Sequence, residues 1–285
     1  MRLPRFDPGS VSVGSGGGGL GRGGSIGCGT LVIVVIAALV FGVDPGQMLG
    51  TVGSMQEQSA PQQGAGGQSA EEICTQNDYA LESCNALSSL NQTWEPLFRE
   101  AGIEFRQPTL HFYRGGTRSG CGAAQSAMGP FYCPADQGIY IDTSFYDQMA
   151  QRMGAGGDFA RYYVIAHEYG HHIQNLTGLA SQVRSAQAQD RRRANNLSVR
   201  MELQADCYAG VWAGRNRNLI EAGDVREGMQ AANAIGDDTL LAGSGRSANP
   251  ESFTHGSSAQ RMEWLNRGIT TGDEDQCDTF ADLRQ

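Results

Sequence analysis

The sequence predicts an α+β domain that is mainly helical, carries a small β-sheet and is preceded by one transmembrane helix. An uncharged apolar run, residues 26–43, is just long enough to span a bilayer. Most of the chain that follows has apolar residues at helix-like spacings. Residues 109–113 and 138–143 instead have the β-branched and aromatic content, or the alternation, that favours strands.

The N-terminal part of the chain predicts a tail, an anchor and a linker. Residues 1–25 are Gly-rich and predict a flexible cytoplasmic tail. Arginines precede the run 26–43, so the positive-inside rule places the N-terminus in the cytoplasm and the domain in the periplasm or outside the cell. A cleaved signal peptide is the alternative, which the long tail disfavours. Residues 44–70, rich in Gln, Gly, Ser and Ala, predict a flexible linker.

The remaining residues, 71–285, predict one domain of ordinary size. The formal net charge of -9 argues against nucleic acid as a partner. The run Arg191–Arg193 is a local exception, and we interpret it as a solvated surface.

The cysteines give a second indication of export. Six of them lie downstream of the apolar run, and an even number in one domain predicts disulfides in an oxidising compartment. A cysteine zinc site is disfavoured because the sequence has no CxxC pair. Many connectivities are open to six cysteines. Pairing neighbours in sequence gives Cys74 with Cys84, Cys121 with Cys133, and Cys207 with Cys277.

Helix-like spacing marks five segments of the domain. The first has Pro96 close to its end. The second has Asp158 as its expected N-cap and Gly178 as its expected C-cap. The last is expected to stop at Gly268. The predicted helices are residues 70–98, 158–176, 199–216, 225–241 and 259–268.

Two strands are expected, separated by a Gly-rich loop. The first, residues 109–113, contains His111, which we interpret as a packed strand histidine rather than a ligand. The second, residues 138–143, alternates between apolar and polar side chains.

The second predicted helix carries a His-Glu-x-x-His pattern formed by His167, Glu168 and His171. Residues four apart lie on one face of a helix, so the two histidines can reach the same metal ion. Glu168 lies beside them, where it can hold a water molecule. His172 points about 100° further around the helix and is not expected to be a ligand. The pattern therefore predicts the core of a zinc hydrolase site.

A catalytic zinc ion normally has three protein ligands, and the third is expected from a separate element. Glu202 and Asp206 are four residues apart on the next long helix and share one of its faces. One carboxylate can bind the zinc, and the other can accept a hydrogen bond from a ligating histidine. We expect Glu202 to be the ligand and Asp206 to orient a histidine.

The segments HEYGH, ELQAD and FTHGSSAQR together resemble the gluzincin metallopeptidases and, more narrowly, the putative neutral zinc metallopeptidase family of bacteria. That family has a Gly-rich cytoplasmic tail, one membrane anchor and an exported peptidase domain. The resemblance implies a zincin-like fold with one Zn²⁺ per chain and a peptide or protein substrate. It also implies that residues 138–143 form the edge strand to which an extended peptide adds.

On this basis the expected function is hydrolysis of peptide bonds by a membrane-anchored enzyme, with a zinc-activated water and Glu168 as general base. The resemblance also implies a late donor for the developing oxyanion, and His255 is the candidate. Arg261 is expected to orient the site or to bind a substrate carboxylate. Two alternatives are an anchored zinc-binding domain that acts as an assembly or binding factor, and a hydrolase of a non-peptide bond. The presence of Glu168 favours an enzyme, because a structural zinc site does not need it.

Overall fold

The computed structural model describes residues 1–15 and 68–281. Within these ranges helices predominate and a small sheet accompanies them, so the predicted α+β class is confirmed. The strands are β1 (Ser12–Ser15), β2 (Thr109–Tyr113), β3 (Gly116–Ser119), β4 (Gly122–Gln125), β5 (Phe131–Cys133) and β6 (Gly138–Asp142). The helices are α1 (Ala70–Cys74), α2 (Asp78–Glu100), α3 (Ser144–Arg152), α4 (Asp158–Leu176), α5 (Leu179–Gln189), α6 (Ala194–Arg215), α7 (Asp224–Ala234), α8 (Asp237–Gly243) and α9 (Ser258–Thr271).

The predicted membrane anchor, residues 26–43, lies outside the described residues, as does the predicted linker up to residue 67. Among the helices in the described ranges, none is both long enough and apolar enough to cross a bilayer.

The main sheet has four strands in the order β1-β2-β6-β5. The strands β1, β2 and β6 are parallel, and β5 runs antiparallel to β6. The expectation that residues 138–143 form the edge strand is therefore wrong, because β6 is paired on both sides. Every residue of β6 is buried, as suits a central strand. The edge of the sheet that lies against α4 is the three-residue strand β5.

Residues 1–15 pack on the domain, which corrects the prediction of a flexible tail for this part of the chain. Phe6 and Val11 are buried in the main core, and β1 pairs with β2 over four residues. The backbone is also held by side chains of α2: Phe6 N donates to Asn85 Oδ1 at 2.9 Å, and Asn91 Nδ2 donates to the Ser10 carbonyl at 3.0 Å. Apolar residues at these few positions outweigh the Gly-rich composition that suggested a tail. The rest of the predicted tail, residues 16–25, lies outside the described residues.

Two of the predicted helices are each divided in two. The predicted helix 70–98 is broken between α1 and α2. Asn77 is the N-cap of α2, because its side chain accepts a hydrogen bond from Ala80 N at 2.9 Å. Gly236 separates α7 from α8. It contacts the start of α9 so closely that an added Cβ would lie 2.3 Å from Ser258 N. A side-chain cap in one case and a close backbone contact in the other thus break helices that the apolar spacing predicts as continuous.

The last helix does not stop at Gly268, as the sequence suggested, but continues to Gly272, which caps it at φ 63°. Gly268 is inside the helix because α9 lies directly against α6. A Cβ at Gly268 would lie 2.1 Å from the Cys207 carbonyl oxygen, and one at Gly210 would lie 2.2 Å from the Leu265 carbonyl oxygen. These glycines serve the contact between two helices.

The three predicted disulfides are all formed. They join Cys74 to Cys84, Cys121 to Cys133 and Cys207 to Cys277.

The helix α4 has the bounds that the sequence predicts, residues 158–176, and lies at the centre of the domain. It packs against α2, α6 and α7. Gly170 permits a close backbone contact with α6, because a Cβ there would lie 2.8 Å from the Ala205 Cα. The residues on either side of this contact form the candidate site.

Candidate metal centre

His167 and His171 of α4 face Glu202 of α6. The Nε2 atom of His167 lies 3.2 Å from Oε2 of Glu202, and the Nε2 atom of His171 lies 3.5 Å from Oε1. The two rings meet edge to face with their centroids 4.8 Å apart. The four-residue spacing on α4 and the close approach of α6 bring these three groups together.

The donor set fits a zinc ion. Two imidazole nitrogens and one carboxylate oxygen lie within 4.8 Å of one another, and this combination is typical of catalytic zinc sites. His167 is buried, and the other two side chains are only partly exposed.

Asp206 supports His167 from behind and is fully buried. Its Oδ1 lies 2.8 Å from His167 Nδ1 and accepts a hydrogen bond from the Tyr163 hydroxyl at 2.6 Å. Arg261 of α9 binds both carboxylate oxygens, through Nε and Nη2, at 2.9 Å each. The Asp206 carboxylate thus orients the His167 ring, and Arg261 compensates its buried charge.

Arg261 is itself 2% exposed, and its third nitrogen donates to the Ile235 carbonyl at 3.4 Å. Of the two roles that the sequence left open, this geometry supports orientation of the site. A guanidinium buried on Asp206 is not placed to bind a substrate carboxylate.

Neighbouring charges shift the pKa values of His167 and Glu202 in opposite directions. Burial opposes protonation of His167, but Asp206 and Glu202 together more than offset it and raise the pKa of His167 to about 9. Burial likewise works to raise the pKa of Glu202, but the charges of His171 and His167 hold it well below its ordinary value. In the absence of a metal ion, His167 is therefore an imidazolium that faces the Glu202 carboxylate.

Glu168 lies beside the ligands and is 8% exposed. Burial raises the pKa of its carboxyl group, while the neighbouring histidines partly oppose the rise. A carboxylate with a raised pKa is a stronger base than an exposed one, which suits proton transfer near neutral pH.

His255 is held by Asp237, a residue that the sequence reasoning missed. His255 Nδ1 lies 3.0 Å from Asp237 Oδ1, and Asp237 Oδ2 accepts hydrogen bonds from the backbone N–H groups of Thr254 and His255. The ring is 4% exposed, and its Nε2 has no hydrogen-bond partner within the described part of the chain.

Two other histidines are not part of the site. His172 uses both ring nitrogens elsewhere, at 3.0 Å from the Tyr132 hydroxyl and 2.6 Å from the Arg106 carbonyl oxygen. His111 stacks on Tyr140 of the neighbouring strand with ring centroids 4.5 Å apart. Both agree with the sequence-based interpretation.

A second group of carboxylates, Asp158, Asp224 and Glu227, is close enough to hold a cation. Its partner in the structure is the Met1 amino group, which lies 3.0 Å from Asp158 and 2.8 Å from Asp224.

Comparison with known proteins agrees with this geometry. Residues 6–280 match the family described as putative neutral zinc metallopeptidase. The uncharacterized protein YpfJ of Escherichia coli is 47% identical over 283 residues, covering 97% of this chain and 94% of that protein. The uncharacterized protein Rv2575 of Mycobacterium tuberculosis is 37% identical over 261 residues, covering 86% of this chain and 85% of that protein. No solved structure matches the chain.

Proposed function

The chain belongs to the putative neutral zinc metallopeptidase family, and from this premise we propose that it is a zinc-dependent peptidase whose active site lies between α4 and α6. The observation that carries the proposal is the convergence of His167, His171 and Glu202, with Glu168 beside them. The zincin-like character of the fold is part of the same proposal and is supported by the sheet that lies against the motif helix.

His167, His171 and Glu202 would hold the zinc ion. When bound, the zinc supplies a Lewis acid that polarises a scissile carbonyl group and acidifies water. Glu168 would take a proton from the attacking water and deliver it to the leaving amine. Its burial keeps bulk water from competing for that proton.

His255 is proposed to serve the substrate oxygen on which negative charge develops. Asp237 holds its Nδ1, so Nε2 is the ring atom left to act on a substrate. When the ring carries both protons, Nε2 can donate a hydrogen bond to the oxyanion. Asp237 orients this donor as Asp206 orients His167.

The proposed setting is an exported compartment, where peptides or proteins are the substrate. Three disulfides in one domain support that setting. Attachment to a lipid bilayer through residues 26–43 stays a prediction from the sequence.

The decisive experiment compares wild type, Glu168→Gln and Glu100→Gln in a peptide-library cleavage screen, with zinc content measured for each. Glu100 is exposed at the end of α2, so Glu100→Gln is a matched control. We expect about one zinc per chain in all three proteins and a loss of cleavage by at least about 100-fold in Glu168→Gln alone.

Full activity in Glu168→Gln would overturn its role as the base. A zinc-loaded wild type that cleaves no peptide would favour the non-enzymatic binding or assembly role instead. A folded protein that binds no zinc would refute the metal centre itself.

A further inference from the structure

His171 is supported by a chain of two amide side chains. Its Nδ1 lies 2.9 Å from Oε1 of Gln174, which is one turn later on α4. The Nε2 of Gln174 donates to the Met201 carbonyl at 2.8 Å and to Oε1 of Gln204 at 3.0 Å. The Nε2 of Gln204 donates in turn to the Cys277 carbonyl at 3.1 Å.

The two backbone carbonyls fix the direction of this chain. A carbonyl oxygen only accepts, so Met201 and Cys277 must each receive an N–H group. The nitrogen of each amide therefore faces a carbonyl, and the oxygen of Gln174 faces His171. The His171 ring must then donate through Nδ1, which leaves the lone pair of Nε2 directed at Glu202. That is the tautomer that a metal ligand in this position needs.

Both glutamines are buried, with Gln174 at 0% and Gln204 at 5% exposure. Water cannot replace either amide as the partner of His171 or of the other amide. A buried amide is costly unless its hydrogen bonds are made, and here both nitrogens and both oxygens have partners. Loss of one member therefore leaves the rest of the chain unsatisfied.

The last acceptor is held in place by a disulfide. Cys277 lies in a short 3₁₀ segment near the C-terminus and is bonded to Cys207 of α6. Cys207 follows Gln204 by three residues, on the helix that also carries Glu202. The disulfide thus fixes the Cys277 carbonyl against the helix that carries the third proposed ligand.

We propose that Gln174 and Gln204 are positioning residues that hold His171 in its metal-binding tautomer, and that the Cys207–Cys277 disulfide fixes the carbonyl on which they depend. This inference rests on the proposed metal centre but not on peptidase activity. It assigns to the C-terminal segment a role in metal affinity. His167 is supported by the charged Asp206 and Arg261, whereas this second chain is neutral throughout.

The test measures the zinc dissociation constant by competition with a chelator for wild type, Gln174→Leu, Gln204→Leu and Gln187→Leu. Gln187 is the matched control, since its Nε2 also donates two hydrogen bonds, to the Ala194 carbonyl and to Ser198, away from His171. We expect Gln174→Leu to weaken zinc binding by about 10-fold to 100-fold, and Gln204→Leu to act in the same direction. Gln187→Leu should bind zinc as wild type does.

Thermal unfolding of the metal-free proteins separates a specific effect on zinc affinity from a general loss of fold stability. An unchanged dissociation constant in Gln174→Leu overturns the proposal. The proposal is also overturned if, across all three variants, the loss of zinc affinity parallels the loss of thermal stability of the metal-free protein. If Gln174→Leu does not fold, Gln204→Leu decides the outcome.

A double-mutant cycle tests the part played by the disulfide. Gln204→Leu is measured again in a background that carries Cys207→Ala and Cys277→Ala. If the disulfide fixes the acceptor of Gln204, the effect of Gln204→Leu on zinc affinity shrinks in that background. An undiminished effect overturns the link to the disulfide. A wild type that binds no zinc overturns both this inference and the proposed function. A wild type that binds zinc but cleaves nothing affects only the proposed function.

Discussion

His167 and His171 face the same carboxylate but are held by different chemistry. Asp206 holds His167, and its buried charge is shared with Arg261 and the Tyr163 hydroxyl. The amide of Gln174 holds His171 without adding any charge. A carboxylate neighbour favours a protonated ring, so protons and a metal ion compete for His167.

The first prediction concerns that competition. The pKa of His167 in the folded, metal-free protein is about 9, above its ordinary 6.5. The stabilisation from this ion pair is therefore complete below about pH 6.5 and is lost as the pH rises through about 9. A zinc ligand must be deprotonated, so the apparent zinc association constant should rise by up to about tenfold per pH unit until about pH 9.

Chelator-buffered zinc titrations across that range measure the slope, and calorimetry in buffers of different ionisation enthalpy counts the protons released. An affinity that does not change between about pH 6.5 and about pH 9 would contradict a His167 that is held protonated by Asp206.

At the residue scale, spacing predicted the side chains that converge on the candidate metal site but not the side chains that hold them in place. The structure brings His167, His171 and Glu202 together as the sequence suggested. Asp237, by contrast, is 18 residues from the histidine that it orients, and no motif marks it. Gln174 and Gln204 act through neutral amides, which carry no recognisable spacing. Only the folded chain shows these partners.

At the scale of elements, the site depends on how closely helices approach. Gly170 lets α4 contact α6, and Gly210 and Gly268 let α6 contact α9. The first contact brings Glu202 to the histidines, and the second brings Arg261 to Asp206. Two short backbone contacts thus assemble side chains from three helices.

Gly170→Ala tests the first contact. A Cβ there would lie 2.8 Å from the Ala205 Cα, so the helices must separate, and we expect a loss of about 1–3 kcal/mol in stability together with weaker zinc binding. Gly243→Ala is the control, because a Cβ at that helix end meets nothing within 4 Å and alanine favours the helix. Thermal unfolding and zinc titration measure both effects. If the two variants have the same stability and the same zinc affinity, the helix contact at Gly170 determines neither property.

Periodicity predicted α4 with its bounds, because its apolar and functional faces both follow the helical repeat. It did not predict the division at Gly236 or the continuation through Gly268, since both depend on contacts with distant parts of the chain. The helices α3 and α5 were also missed. Glycine is thus ambiguous in sequence: it ends a helix at Gly272 and permits close packing at Gly268.

At the scale of the whole molecule, residues 1–15 and 68–281 share one core. The arginines before residues 26–43 predict a cytoplasmic N-terminus and an exported domain, and that prediction takes no account of the pairing of β1 with β2. A chain that crosses the membrane once at residues 26–43 would separate the two parts. Their packing therefore predicts that both lie on the same side of the membrane.

Cysteine trapping measures this directly. The Ser10 and Ser88 hydroxyl oxygens are 2.8 Å apart, so thiols placed by Ser10→Cys and Ser88→Cys are within bonding reach. We expect the double variant to form this additional disulfide in native membranes, seen by peptide mapping without reduction, and the single variants to show no such bond. A free thiol at position 10 in a protein whose other disulfides are intact would show that the N-terminus lies in another compartment.

The supports of the metal centre are made late in synthesis. The proposed ligand set is complete once residue 202 has emerged, but Arg261 follows Asp206 by 55 residues and Cys277 follows Gln204 by 73. A nascent chain thus holds its histidines and Glu202 before Arg261 and the Cys277 carbonyl are present to fix Asp206 and the two glutamines. We expect zinc to be captured firmly only when the C-terminal segment has closed. An enzyme assembled in this order would stay inert while it is unfinished, when neighbouring unfolded chains are most vulnerable to cleavage.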